Sequence, residues 1–152
     1  MDLTITAPSA ATADALRADV AADVLAAQRV VLTERDAPCR QCLQLGEPGE
    51  EMLLLTYQPF RGESPYAVPS PVFLHAEPCD TYAASDLPAF VRDGGLRAIR
   101  SYDADHAIVE GAVVSPAEIV STIGRLLDHE RAAYVHVHCA VNGCFTFRAD
   151  RA

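Results

Sequence analysis

Lysine is absent from this sequence: all twelve basic residues are arginine. Chemistry that depends on a side-chain primary amine is therefore excluded, including Schiff-base catalysis, pyridoxal phosphate attachment and the P-loop ammonium. Basic clusters are missing too, and the formal net charge is -9. Nucleic acid and anionic membrane surfaces are bound by concentrated Arg or Lys, so neither is an expected partner, which leaves a small molecule or another protein. Long apolar runs are lacking. Met52–Leu55 and Val135–Val137 fall far short of the roughly 18 residues that span a bilayer. The opening Met1-Asp2-Leu3-Thr4 has neither a basic n-region nor an apolar h-region, which points to the cytoplasm. In that reducing compartment five cysteines, an odd number, read as thiols, metal ligands or small buried side chains rather than a disulfide framework. No nucleophile elbow, glycine-rich phosphate loop or His-Glu-x-x-His occurs, so no enzyme class is assigned.

What is present is a chain of 152 residues, half of them apolar, enough for one buried core. The expectation is one domain over residues 1–152, with residues 1–11 a flexible lead-in. Leu16, Val20, Val24 and Leu25 predict an amphipathic helix over Thr12–Gln28. A short strand over Arg29–Glu34 leads into an irregular loop holding Cys39 and Cys42. Met52–Tyr57 and Val72–Ala76 read as strands in central positions, and Leu87–Val91 as a helical turn. Leu96–Tyr102 and Ala107–Val114 form a candidate hairpin. Ser115-Pro116-Ala117-Glu118 carries the N-cap serine, first-turn proline and reciprocal glutamate of a capping box, ahead of a stripe of Ile119, Val120, Ile123, Leu126 and Leu127.

The last hairpin, Ala133–Ala140 and Cys144–Arg148 about Asn142-Gly143, admits two registers. A two-residue turn would bury His136 and His138 beside Phe145 and Phe147. A three-residue loop with Gly143 left-handed pairs Ala140 with Cys144 instead. That register gathers Val135, Val137, Cys139, Phe145 and Phe147 on one face and His136, His138, Cys144, Thr146 and Arg148 on the other. It is preferred because both faces are chemically consistent.

Cys39-Arg40-Gln41-Cys42 is the most pointed local signal, because a two-residue spacer lets both thiolates reach one tetrahedral zinc, and His75 and Cys79 could complete four ligands. The plainer reading makes these cysteines small buried apolar residues and His75 a strand cap, and on spacing alone it ranks first. A redox role for the pair lacks the following helix that would activate the first thiol. His75-Ala76-Glu77 and Pro38-Cys39-Arg40-Gln41-Cys42 also match the two halves of the zinc deaminase signature, but in reversed order and away from helix N-termini. A second candidate site is His136, His138 and Arg148, which could bind a ligand from one strand face.

Ala37-Pro38-Cys39-Arg40-Gln41-Cys42-Leu43, Pro48-Gly49-Glu50, Leu53 to Phe60, Pro65-Tyr66 and Phe73 to Cys79 together carry a likeness, continued by Arg100 to Asp103, Tyr134 to Val137 and Gly143-Cys144-Phe145. The chain resembles the bacterial "domain of unknown function 1203" family over about residues 30–151. The resemblance implies a stand-alone protein of similar length and brings no activity, cofactor or catalytic residue with it. The fold expected is α+β, a single bent and mostly antiparallel sheet of five to seven strands with two packed helices. The function expected first is a small cytosolic binding or regulatory protein with a zinc site at Cys39, Cys42, His75 and Cys79. The alternatives are a metal-dependent hydrolase or deaminase-like enzyme and a protein-interaction module.

Overall fold

A computed structural model describes residues 2–152. In chain order the elements are β1 (Leu3–Thr6), α1 (Ala10–Ala21), β2 (Ala27–Val31), β3 (Glu51–Tyr57), β4 (Ser70–His75), α2 (Ala89–Arg92), β5 (Arg97–Tyr102), β6 (Ile108–Val114), α3 (Ile119–Leu127), β7 (Tyr134–Cys139) and β8 (Phe145–Arg151). The expected single sheet with two helices is corrected. Among the described residues eight strands form two antiparallel sheets, ordered β1-β8-β7-β5-β6 and β2-β3-β4, with three α-helices. One physical reason lies in β4, which was expected to be central. Pro71 sits within it and cannot donate to a further ladder, so β4 ends the smaller sheet as an edge. The chain divides into two compact units. One comprises Ala7–Tyr57 and Pro71–Tyr82, and the other Gln58–Ser70, Ala83–Ala152 and the N-terminal residues through Thr6.

In the three-stranded unit, Ser9 caps α1 by accepting from the Thr12 amide at 3.1 Å. The helix ends earlier than the apolar spacing predicts. Asp23 takes a left-handed φ of 57°, the Val24 amide donates to the Asp19 carbonyl at 2.9 Å and the Asp23 amide to Val20 at 3.2 Å, the paired closure of a Schellman motif. Val24, expected on the core stripe, is 75% exposed, whereas Val20 joins Ala13, Leu32, Met52, Leu55, Val72 and Leu74 in the core. The loop after β2 is pinned where Asp36 and Gly46 exchange backbone hydrogen bonds of 3.1 and 2.7 Å. A Cβ on Gly46 would lie 2.5 Å from Leu32 Cδ1 and 2.9 Å from Met52 Sδ, so a larger residue would have to displace both core side chains.

In the five-stranded unit the supposed lead-in is structural. Leu3 and Ile5 alternate with exposed residues, and β1 pairs with β8 from Leu3 opposite Arg151 to Thr6 opposite Arg148. The capping box forms, with the Ser115 amide donating to Glu118 Oε2 at 3.1 Å, and Ile119, Ile123, Leu126 and Leu127 are buried while Val120 faces out. The β5–β6 hairpin is present as the sequence predicts.

The β7–β8 register follows the expected pairing only in part. Val135, His136 and Val137 lie opposite Ala149, Arg148 and Phe147, which is the three-residue-loop register. The ladder then shifts so that His138 lies opposite Phe145, with Thr146 left as the extra residue of a bulge. Gly143 is left-handed at φ 74°, and its amide donates to Cys139 at 2.8 Å, which makes a four-residue loop. The shift moves Phe145 onto the histidine face. His136 is therefore buried completely and His138 nearly so, in place of the expected polar patch.

Candidate metal centre

The cysteine loop is built by backbone bonds before any ligand chemistry enters. Ala37 and Leu43 adopt left-handed φ values of 56° and 54°, the Leu43 amide donates to the Cys39 carbonyl at 2.9 Å, and the Cys39 amide donates to Gln44 at 2.9 Å. This tight turn aims both sulfurs inward. The Arg40 amide donates to the Phe73 carbonyl at 2.9 Å, which ties the turn to β4 and brings Cys39 beside His75 at the end of that strand. Beyond β4, the Ala76 amide continues the pairing to Glu51 at 3.0 Å, and Pro78 turns the chain so that Cys79 returns to the loop.

One ligand atom from each of Cys39, Cys42, His75 and Cys79 lies within 4.8 Å of every other, so the structure brings all four sequence candidates together, and the group could hold a metal ion. Cys39 Sγ and Cys79 Sγ are 3.8 Å apart. Two sulfurs at about 2.3 Å from a tetrahedral zinc are separated by about 3.8 Å. None of the five cysteines is disulfide-bonded.

Electrostatics favour anionic sulfur at this point. The Cys42 thiol donates to Cys39; although burial opposes ionisation, amides of Cys42, His75 and Gln41 add to that bond and lower the Cys39 pKa to about 5. Cys42 is pushed upward by the hydrogen bond it gives Cys39, by burial and by the Cys39 charge. Cys79 is raised by burial and by the same charge. Cys39 is thus the sulfur most readily ionised, and a divalent cation would draw off the protons of the other two.

Three further residues complete the arrangement, none of them marked by a ligand motif. Glu50 Oε2 lies 2.7 Å from His75 Nδ1, which fixes the ring and leaves Nε2 as the nitrogen for a metal. Arg17 of α1 donates from Nε to the His75 carbonyl at 2.9 Å and from Nη2 to Gln41 Oε1 at 2.9 Å, with Cys79 Sγ 3.9 Å away. Buried Gln41 donates to the Cys79 carbonyl at 2.7 Å and accepts the Cys79 thiol at 3.4 Å. A signal for Gln41 existed in its place inside the Cys-x-x-Cys spacer; for Arg17, one polar residue among several on the first helix, there was none. A cleft of about 620 Å³ lined by Gly49, Glu50, Glu51, His75, Glu77 and Cys79 opens beside the cluster.

The second candidate group lies in the five-stranded unit. His136 and Arg148 oppose one another across β7 and β8, with His138 further along the same face. His136 is enclosed by Phe60, Tyr102, Tyr134 and Phe145, with ring centroids 4.7 to 5.2 Å away, and neither ring nitrogen has a hydrogen-bond partner. Burial, reinforced by the charges of His138, Arg148 and His106, lowers its pKa to about 3. Arg148 sits 4.1 Å over the Tyr134 ring and donates from Nε to Asp150 at 2.8 Å. The three residues share a face.

A family model described as "Protein of unknown function (DUF1203)" matches residues 36–151. The chain belongs to that family. All four metal-cluster residues and all three of the histidine face fall inside the DUF1203 region. No curated protein and no solved structure matches the chain. Among the described residues no helix is long and apolar enough to cross a membrane.

Proposed function

We propose that Cys39, Cys42, His75 and Cys79 bind one zinc ion that staples the three-stranded unit, and that this DUF1203 protein is a zinc-stabilised binding or regulatory protein of the cytoplasm. The observation that carries the reading is the sulfur geometry: a 3.8 Å Cys39–Cys79 separation within a four-atom group spanning at most 4.8 Å. Soft thiolate and imidazole donors in a tetrahedral set select zinc over hard cations. Four protein ligands fill the coordination sphere, the pattern of a structural site. One Zn²⁺ with three thiolates and a neutral imidazole carries a single negative charge, and Arg17 stands beside Cys79 to balance it. The Glu50–His75 contact has the form of the outer-shell partner that orients a ligating imidazole.

Elemental analysis of native protein prepared without affinity metal or chelator tests this reading. One zinc per chain, abolished in the Cys39→Ser/Cys42→Ser variant, is the expected result. A metal content near zero overturns it.

The cleft beside His75 and Cys79 favours a second reading, a metal-dependent hydrolase or deaminase-like site with Glu77 on the cleft wall. It requires a water to replace one protein ligand. A cobalt-substituted protein separates the two: a tetrahedral thiolate spectrum unmoved by added anions supports the closed structural site, and one shifted by anions supports the open one.

A further inference from the structure

A buried cation requires a nearby opposite charge, and Arg97 lacks a carboxylate. This residue opens β5 and is 7% exposed, yet none of the described carboxylates lies within ion-pair distance of it. Its Nη2 donates to the Phe90 carbonyl at 3.2 Å, its Cζ lies 5.8 Å from the Phe90 ring centroid, and its Nε is buried without a partner. The residue directly opposite on β7 is Cys139, so the guanidinium and that sulfur leave the sheet side by side. The Cys139 amide in turn donates to the Cys144 carbonyl at 2.9 Å. Arg97 and Cys139 are directly opposed and so project to the same face, and Cys144 is tied to Cys139 by that one backbone bond across the mouth of the loop. Both cysteines are partly exposed, so small reagents reach them.

We propose that Arg97 holds Cys139 as a thiolate and that Cys139 and Cys144 form a peroxide-sensitive dithiol, a modification site separate from the zinc cluster. A guanidinium beside a half-buried sulfur favours the anion, which is the nucleophile in thiol chemistry. The 2.9 Å bond from the Cys139 amide to the Cys144 carbonyl holds the two Cα atoms no more than about 6.8 Å apart, within the reach of a disulfide. The Cys139 thiolate attacks one oxygen of hydrogen peroxide, the O–O bond breaks, and the departing hydroxide takes a proton to become water. This leaves a sulfenic acid on Cys139. The Cys144 thiol then attacks that sulfur, an S–S bond forms, the S–O bond breaks, and the hydroxyl leaves as water with the Cys144 proton. The two sulfurs lose two electrons and one peroxide is reduced to two waters.

The experiment uses the full chain with its metal content measured first. Cleavage after Arg131 and Arg148 releases Ala132–Arg148, which contains Cys139 and Cys144 and no other cysteine. After treatment with about one equivalent of hydrogen peroxide, this peptide loses two hydrogens and resists alkylation. Two alkylatable thiols remaining in it, or either cysteine joined only to a partner outside it, overturns the proposal. Before oxidation, iodoacetamide at pH 6.5 labels Cys139 at least about tenfold faster than Cys144, because the thiolate is the form that is alkylated. Arg97→Gln removes that preference and Arg97→Lys retains part of it. Equal labelling of the two cysteines in the unsubstituted protein overturns the proposal even where the Arg97 variants fail to fold.

Discussion

Both units gather ligand-type side chains densely, and only one of them surrounds those side chains with polar partners. In the three-stranded unit three sulfurs and an imidazole are met by Glu50, Gln41, Arg17 and backbone amides. In the five-stranded unit His136 stands among four aromatic rings with both nitrogens unpartnered. The lesson is that proximity of imidazoles and thiols does not make a site; the groups that orient them and compensate their charge do. An imidazole without such groups is held neutral and behaves as a packing side chain.

The strongest way to sharpen this contrast is to remove two ligands. Cys39→Ser/Cys42→Ser should lose its zinc and unfold the three-stranded unit at temperatures where the unsubstituted protein is folded, a loss of several kcal/mol. Thermal melting followed by circular dichroism, with and without added chelator, checks it. Chelator that leaves the unsubstituted melting curve unmoved would break the contrast.

Acid tests the other side. His136 has a native pKa of about 3 against an ordinary 6.5, so the unfolded chain binds a proton that the native chain refuses. Stability is then full above pH 6.5 and falls as the pH drops toward 3, by about 1.4 kcal/mol per unit. Between pH 7 and pH 5 the unsubstituted protein should lose about 2 kcal/mol more than His136→Phe in urea titrations. At pH 7 the variant should be as stable or more so, because the aromatic ring replaces an unsatisfied polar one. Parallel pH profiles for the two proteins would place His136 in a solvated setting instead.

Smaller effects follow at the edges of the comparison. Glu50→Gln should weaken zinc binding by about 10–100-fold without abolishing it, read by competition with a chromogenic chelator. Ser9→Ala, which uncaps α1 and so loosens the helix bearing Arg17, should cost about 1 kcal/mol with zinc still bound in full.

The four residues of the cluster were legible because each pair is local in sequence and spacing encodes geometry: Cys39 with Cys42, and His75 with Cys79. Their outer partners were not, since Arg17, Gln41 and Glu50 reach the cluster only through tertiary contacts. The capping box, both hairpins and the short helix at Ala89–Arg92 were also written locally. The division into two sheets was not, because apolar runs reveal strands without naming their partners. On the last hairpin, face chemistry selected the correct pairing for Val135 to Val137. It failed beyond, because Thr146 is an unremarkable strand residue by propensity and nothing in the sequence announces a bulge there.

The pairing of β1 with β8 has a consequence for biogenesis. Leu3 waits for Arg151, so on a translating ribosome the first strand remains without its neighbour until the last one emerges, an interval on the order of ten seconds. The unit that holds Cys39, Cys42, His75 and Cys79 ends at Tyr82 and is complete in sequence when little more than half of the chain has been made. A metal bound by those four residues would thus be in place before the larger sheet closes, while the leading strand stays unpaired.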